Sequence, residues 1–224
     1  SLAEILATGS KLTSKGGKDL TALVSLMDRL LPQIIFFLKT GFVAHKKIIH
    51  LQMSELYSIV RGKAGKKVEF GLKWGISRLG GGFLQGFLLA GGQHAADQKF
   101  CLEALNQHQK IFGKAPTTFG FDRGGYSAAN IKKAKKLGVK NVGIAPTGKT
   151  PWVVSETLRK SIVRERAQVE GGIGTIKSSR YGFNKPNAKS TAAMAWCGQR
   201  AILGFNMRKL TREWPSMQSA AAMS

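Results

Sequence analysis

The apolar residues of this chain change their period along its length, and that change limits what it can fold into. From Leu20 onward, Leu23, Met27, Leu30, Leu31, Ile34, Ile35 and Leu38 recur at helical spacing, and Pro32 within them predicts a kink or two shorter helices. Between residues 47 and 90 the period falls to two. Residues 47–53 alternate through Ile49, Leu51 and Met53, and residues 68–76 and 83–90 flank the triplet Gly80-Gly81-Gly82, the composition of a hairpin turn. Residues 95–112 return to helical period through Cys101, Leu105, His108 and Phe112, with Gly113 where a helix terminator belongs. One His on an apolar face reads as packing rather than as a ligand.

Strand and helix then alternate. Residues 117–121 predict a strand ending at Asp122, and Ser127 caps a helix through Ile131, Ala134 and Leu137. Residues 139–145 predict another strand, closed by Pro146. Leu158, Ile162, Val169, Ile173 and Ile176 form the stripe of a long helix, and residues 190–212 a last one through Met194, Ala201, Phe205 and Leu210. Three antiparallel strands followed by parallel ones, flanked by helices, describe an α/β layer with a mixed sheet. The expected organisation is a helical prefix over 1–45 packing on a core domain over 46–212, then a tail over 213–224.

Charge narrows the partners. The 224 residues carry 35 Lys and Arg against 12 Asp and Glu, a net charge of +23, while 43% hydrophobic residues suffice for a core. An excess of this size points to a polyanion, nucleic acid first. Two cysteines, Cys101 and Cys197, make neither a disulfide framework nor a Cys-based zinc site. The four histidines lack metal-ligand spacing. The apolar stretch over 79–96 is broken by six glycines and two glutamines and reads as strands, and the start at Ser1 shows no basic-then-apolar leader. The expectation is a cytoplasmic, nucleoid-associated protein with no membrane partner, truncated at its N-terminus.

Scarce acids are conspicuous in such a chain. Asp122 follows a strand and precedes Arg123-Gly124-Gly125-Tyr126, at the edge where α/β sheets hold ligands; the plainer reading is a cap on the next turn. Glu170 shares a helix face with Arg166, Ile173 and Lys177, where the plainer reading is a surface pair with Arg166. Gly171, Gly172 and Gly174 each cost a helix about 1 kcal/mol relative to Ala, which implies close packing on the sheet or against DNA. Lys132, Lys133, Lys135 and Lys136 share one predicted helix, and Arg159, Lys160, Arg164 and Arg166 crowd the approach to Glu170. Trp152, Tyr181, Phe183 and Trp196 are candidates for base stacking, with core packing the plainer use.

These residues carry a resemblance. The ordered set Arg61-Gly62-Lys63, Val68-Glu69-Phe70-Gly71, Ala96-Asp97, Asp122-Arg123-Gly124, Asn130 and Gly138-Val139-Lys140 is similar to the catalytic core of insertion-sequence DDE transposases. So is the later run from Arg164 through Arg166, Glu170-Gly171, Ile173 and Lys177 to Tyr181-Gly182, with Gly198, Asn206 and Leu210 beyond. The similarity spans roughly residues 30 to 212. It implies an RNase H-like fold and three acids holding two divalent metals, Mg2+ with Mn2+ as a substitute. Asp122 matches the second acid and Glu170 the third. Arg166 and Lys177 match residues beside that Glu, which contact DNA phosphates or orient it. Arg123, Arg164, Arg180, Lys132 and Lys133 are further DNA-binding candidates.

The departure is at the first acid, where Glu55 alone stands in the corresponding stretch. A Glu there reaches differently from an Asp, by one methylene. Asp97 also matches an acidic position of the family but precedes a helix and reads as its cap.

In-line displacement at a phosphodiester needs the attacking and leaving oxygens stabilised together, which two metal ions about 4 Å apart achieve. The resemblance therefore implies metal-dependent cleavage and strand transfer of double-stranded DNA at transposon ends and targets, with self-association on DNA. The alternatives are a DNA-binding remnant that has lost its chemistry and, on charge alone, a basic RNA-binding protein.

Overall fold

The computed structural model describes residues 14–53, 55–60, 68–89 and 97–221. Ser54, Arg61-Gly62-Lys63, Ala96 and the first thirteen residues lie outside them. The protein is mixed α/β, with five α-helices and small sheets among the described residues, and it divides into two compact units, Ser1–Gly71 and Leu72–Ser224.

The first unit holds helix α1 (Ser14–Thr40) and the antiparallel strands β1 (Tyr57–Val60) and β2 (Val68–Gly71), which pair Tyr57 with Gly71. Pro32 lies inside α1 without splitting it, so of the two expected forms the pair of shorter helices is not made. The carbonyl that Pro32 leaves unpaired is that of Asp28, on a solvent-exposed turn where water can satisfy it. Leu23, Leu31, Ile34, Ile35 and Leu38 are all exposed. By length and composition the segment Gly16–Thr40 suffices to cross a membrane, with a mean hydropathy of 1.5 over its most apolar 18 residues. Asp28 and Arg29 interrupt it, each costly at a bilayer centre. The predicted strand over 47–53 does not form. Gln33 instead holds this segment, its Oε1 accepting from Ile48 N at 2.8 Å.

The second unit opens with the hairpin of β3 (Trp74–Arg78) and β4 (Leu84–Leu88), joined by a 3-10 turn at Gly80–Gly82. The single strand expected over 68–76 is thus two, separated at Leu72-Lys73. Helix α2 (Asp97–Phe112) ends where Gly113 takes φ 70°. Strand β5 (Thr118–Phe121), helix α3 (Ala128–Lys136) and strand β6 (Asn141–Ile144) form a βαβ unit whose strands pair in parallel, Gly120 opposite Gly143. Among the described residues the strands make three two-stranded ladders rather than one continuous sheet.

Two helices complete this unit, α4 (Glu156–Ile176) and α5 (Thr191–Ala221), the latter running on past residue 212. The paired glycines of β5 and β6 make a flat seat for Ile162 of α4; a Cβ at Gly120 would lie 3.2 Å from Ile162 Cγ1. Further along α4, Gly172 sits against Leu84 and Ile176 is buried with Leu84 and Ile202. A second cluster joins Leu105, Ala134 and Val139. Asn206 of α5 clamps β4, its Oδ1 accepting from Leu84 N at 2.8 Å and its Nδ2 donating to Leu84 O at 2.7 Å. Gln199 donates to Gly86 O at 2.7 Å, so α5 supplies the hydrogen bonds that β4's outer edge lacks.

Candidate functional site

Strands β5 and β6 run parallel, so their carboxyl ends share one edge, and Asp122 stands there, exposed. Its Oδ1 accepts from Gly124 N at 3.0 Å, capping the 3-10 turn Arg123–Gly125. The capping reading of Asp122 therefore holds, and among the described residues Oδ2 has no hydrogen bond. Asp97, in the first turn of α2, has come to the same place. A Cβ at Gly124 would lie 2.5 Å from Asp97 Oδ2 and 3.2 Å from Asp122 Oδ1. The two carboxylates border one glycine, a proximity that a reading of Asp97 as a local cap does not anticipate. Only the crossover through α2 reveals it.

Asn130 fixes this corner. It is buried, and its Nδ2 donates to Gln98 O and to Gly125 O, both at 2.9 Å. Ser127 caps α3 by accepting from Asn130 N at 3.0 Å, as its position before the helix predicts. The first turn of α2 and the turn after Asp122 are thus tied to one side chain. Cys101, one helical turn beyond Asp97, is fully buried; burial, with Asp122 adding to it, pushes its thiol up to about 12.

Glu170 is exposed on α4, two turns beyond Ile162. Among the described residues it forms no ion pair, so the surface bridge to Arg166 expected from their spacing is not made. Glu55 is exposed in a turn of the first unit, where Leu56 N donates to Met53 O. Among the described residues, no three His, Cys, Asp or Glu side chains stand close enough together to hold a metal ion. Asp97 and Asp122 are nonetheless two oxygen donors at one place. That suits one Mg2+, which is commonly held by one or two carboxylates with waters and substrate phosphates completing its shell, and it falls short of a two-metal centre.

Most of the candidate cations are exposed. Lys132, Lys133, Lys135 and Lys136 are exposed on α3 while Ala134 is buried opposite them. Arg123, Arg164, Arg166 and Arg180 are exposed, and Lys177 is half-buried as the C-cap of α4. Of the aromatic candidates, Trp196 is 71% exposed, Phe183 packs edge-on against Trp74 at 5.3 Å, and Tyr181 lies half-buried beside Phe205. Trp152 is half-buried, and among the described residues its Nε1 has no hydrogen-bond partner. No family model matches the chain, and no curated protein or solved structure proves detectably similar to it.

Proposed function

We propose that this chain is the core of an insertion-sequence-type transposase that binds DNA through its cationic helices and cuts it at the corner containing Asp122. One observation carries the reading: the exposed carboxylate at the carboxyl edge of the parallel pair has a second carboxylate, Asp97, beside it in a chain of net charge +23. The order of elements, an antiparallel hairpin followed by a βαβ unit and a long helix bearing Glu170, supports the RNase H-like arrangement. Mg2+, when bound, would polarise a phosphoryl oxygen and render a bound water more acidic. Asp97 and Asp122 would hold it. Asn130 keeps the two segments in register, and Arg123 next to Asp122 offers a charge-assisted hydrogen bond to the scissile phosphate.

A DNA-binding protein without cleavage is the second reading, favoured by the absence of any three-ligand group among the described residues. Incubating a labelled duplex with Mg2+ and wild-type or Asp122→Asn protein separates the two. The first reading expects both proteins to bind and only wild type to cut; binding without cutting by either establishes the second. A protein that fails to bind DNA overturns both.

A further inference from the structure

A cleft of about 960 Å³ lies in the second unit, away from the Asp97–Asp122 corner. Its walls carry Arg78, Arg180, Arg208, Lys209 and Arg212, with Tyr181 as an aromatic face. Arg78 pairs with Glu165 and Lys209 with Glu213. Among the described residues no ion pair engages Arg180, Arg208 or Arg212. Five cations therefore meet two carboxylates, and the cleft keeps a surplus of three positive charges.

The cleft's construction favours a ligand over a merely solvated face. Arg208 and Arg212 stand four apart on α5, a like-charge spacing that weakens a helix by a few tenths of a kcal/mol. At Gly82, a Cβ would lie 2.8 Å from Arg78 Nη2 and 2.9 Å from Lys209 Cε, so the turn's missing side chain is what lets two cations crowd the same wall. Thr175 and Ser178, at the carboxyl end of α4, also line the cleft. Helix carbonyls there attract the cations, yet a helix end holds about half a unit of negative charge and leaves most of the surplus unmatched.

We infer that this cleft binds one strand of DNA, with consecutive phosphates on Arg180, Arg208 and Arg212 and a base stacked on Tyr181. A positively charged groove with an aromatic platform is how proteins follow a single strand without reading its sequence. The inference rests on the DNA-binding reading for the identity of its ligand and is independent of cleavage.

Fluorescence anisotropy with end-labelled dT12 and with a blunt 20-base-pair duplex, titrated at several salt concentrations, tests it. Wild type is compared with R180Q/R208Q/R212Q, with Tyr181→Leu, and with K110Q/K114Q/K149Q as a control of equal charge change at exposed lysines outside the cleft. Losing three phosphate contacts lowers the salt slope for a single strand by about 2. The cleft variant is expected to show that loss and at least tenfold weaker dT12 binding, and Tyr181→Leu about fivefold weaker binding. The control is expected to keep the wild-type slope for dT12. Thermal melting no lower than wild type shows that the cleft variant is folded. An unchanged dT12 slope in the cleft variant overturns the inference. Wild type binding duplex but not dT12 also overturns it while leaving the DNA-binding reading intact, and wild type binding neither removes that reading itself.

Discussion

Asn130 shows how much of the candidate site hangs on one amide. Both protons of its Nδ2 are used, on carbonyls of two segments that Gln98 Nε2 also joins, by donating to Tyr126 O at 3.1 Å. Replacing it with Ala leaves the buried Gly125 carbonyl without its donor and removes the part-buried bond to Gln98 O, which costs about 1–3 kcal/mol. Asn130→Asp places a carboxylate against those same carbonyls and is expected to cost at least as much, so urea unfolding should rank Ala no less stable than Asp. Cys101 supplies a second check. With its thiol pushed up to about 12 from 9.0, the folded state holds that proton more tightly than the unfolded chain. Its contribution to stability is thus intact below pH 9 and declines as pH rises towards 12. At pH 8.5, iodoacetamide should label the half-buried Cys197 and spare Cys101 in the native protein, as mass spectrometry of the digest would show. Asp122→Asn should lower the Cys101 value only in part, because burial is the larger cause.

Among the helices, glycine separates packing from ligand approach. Gly172 meets Leu84, whereas a Cβ at Gly171 or Gly174 would enter open space. Gly171→Ala and Gly174→Ala should therefore stabilise the protein by up to about 1 kcal/mol each, by helix propensity alone. Gly198→Ala should do the reverse, by about 1–3 kcal/mol, because the added methyl would run into the Trp74 indole. Thermal melting of the three variants gives the signs. If DNA backbone approaches α4 at Gly171 and Gly174, the two stabilised variants will also bind duplex more weakly.

This contrast marks what the sequence could convey. Ser127 as a cap and Gly113 as a terminator were legible because each acts within one turn of its own position. The helical stripes of α2 and α4 were legible because burial repeats with the helix. Residues 47–53 alternate convincingly but find no strand partner, and pairing leaves no local signature. The approach of Asp97 to Asp122 depends on how α2 returns to the sheet edge, which no spacing within either segment encodes. Asp122 at its strand end was readable; its neighbour was not.

At the scale of the whole molecule, charge acts on folding and on binding with opposite signs. Thirty-five cations face 12 acids, so even with every acid engaged, as in Arg78–Glu165, Lys160–Glu156 and Lys209–Glu213, a net charge of +23 remains. Repulsion among unpaired cations therefore outweighs the attractions that salt would screen, and raising salt from low ionic strength should raise the melting temperature. DNA binding runs the other way, since each phosphate contact releases a counterion and affinity falls steeply with salt. A duplex present at a hundred times its dissociation constant adds about 2.7 kcal/mol to the folded state, and none once salt has abolished binding. Melting the protein at 50 and 500 mM salt, each with and without a duplex, reads both effects at once. The expected result is a protein that melts higher in salt when alone and loses its DNA-induced rise at 500 mM. A melting temperature that falls with salt in the free protein would mean that attractions between its charges govern the fold. A DNA-induced rise that survives 500 mM salt would mean that contacts other than phosphates hold the duplex, and the cationic helices would not be its main grip.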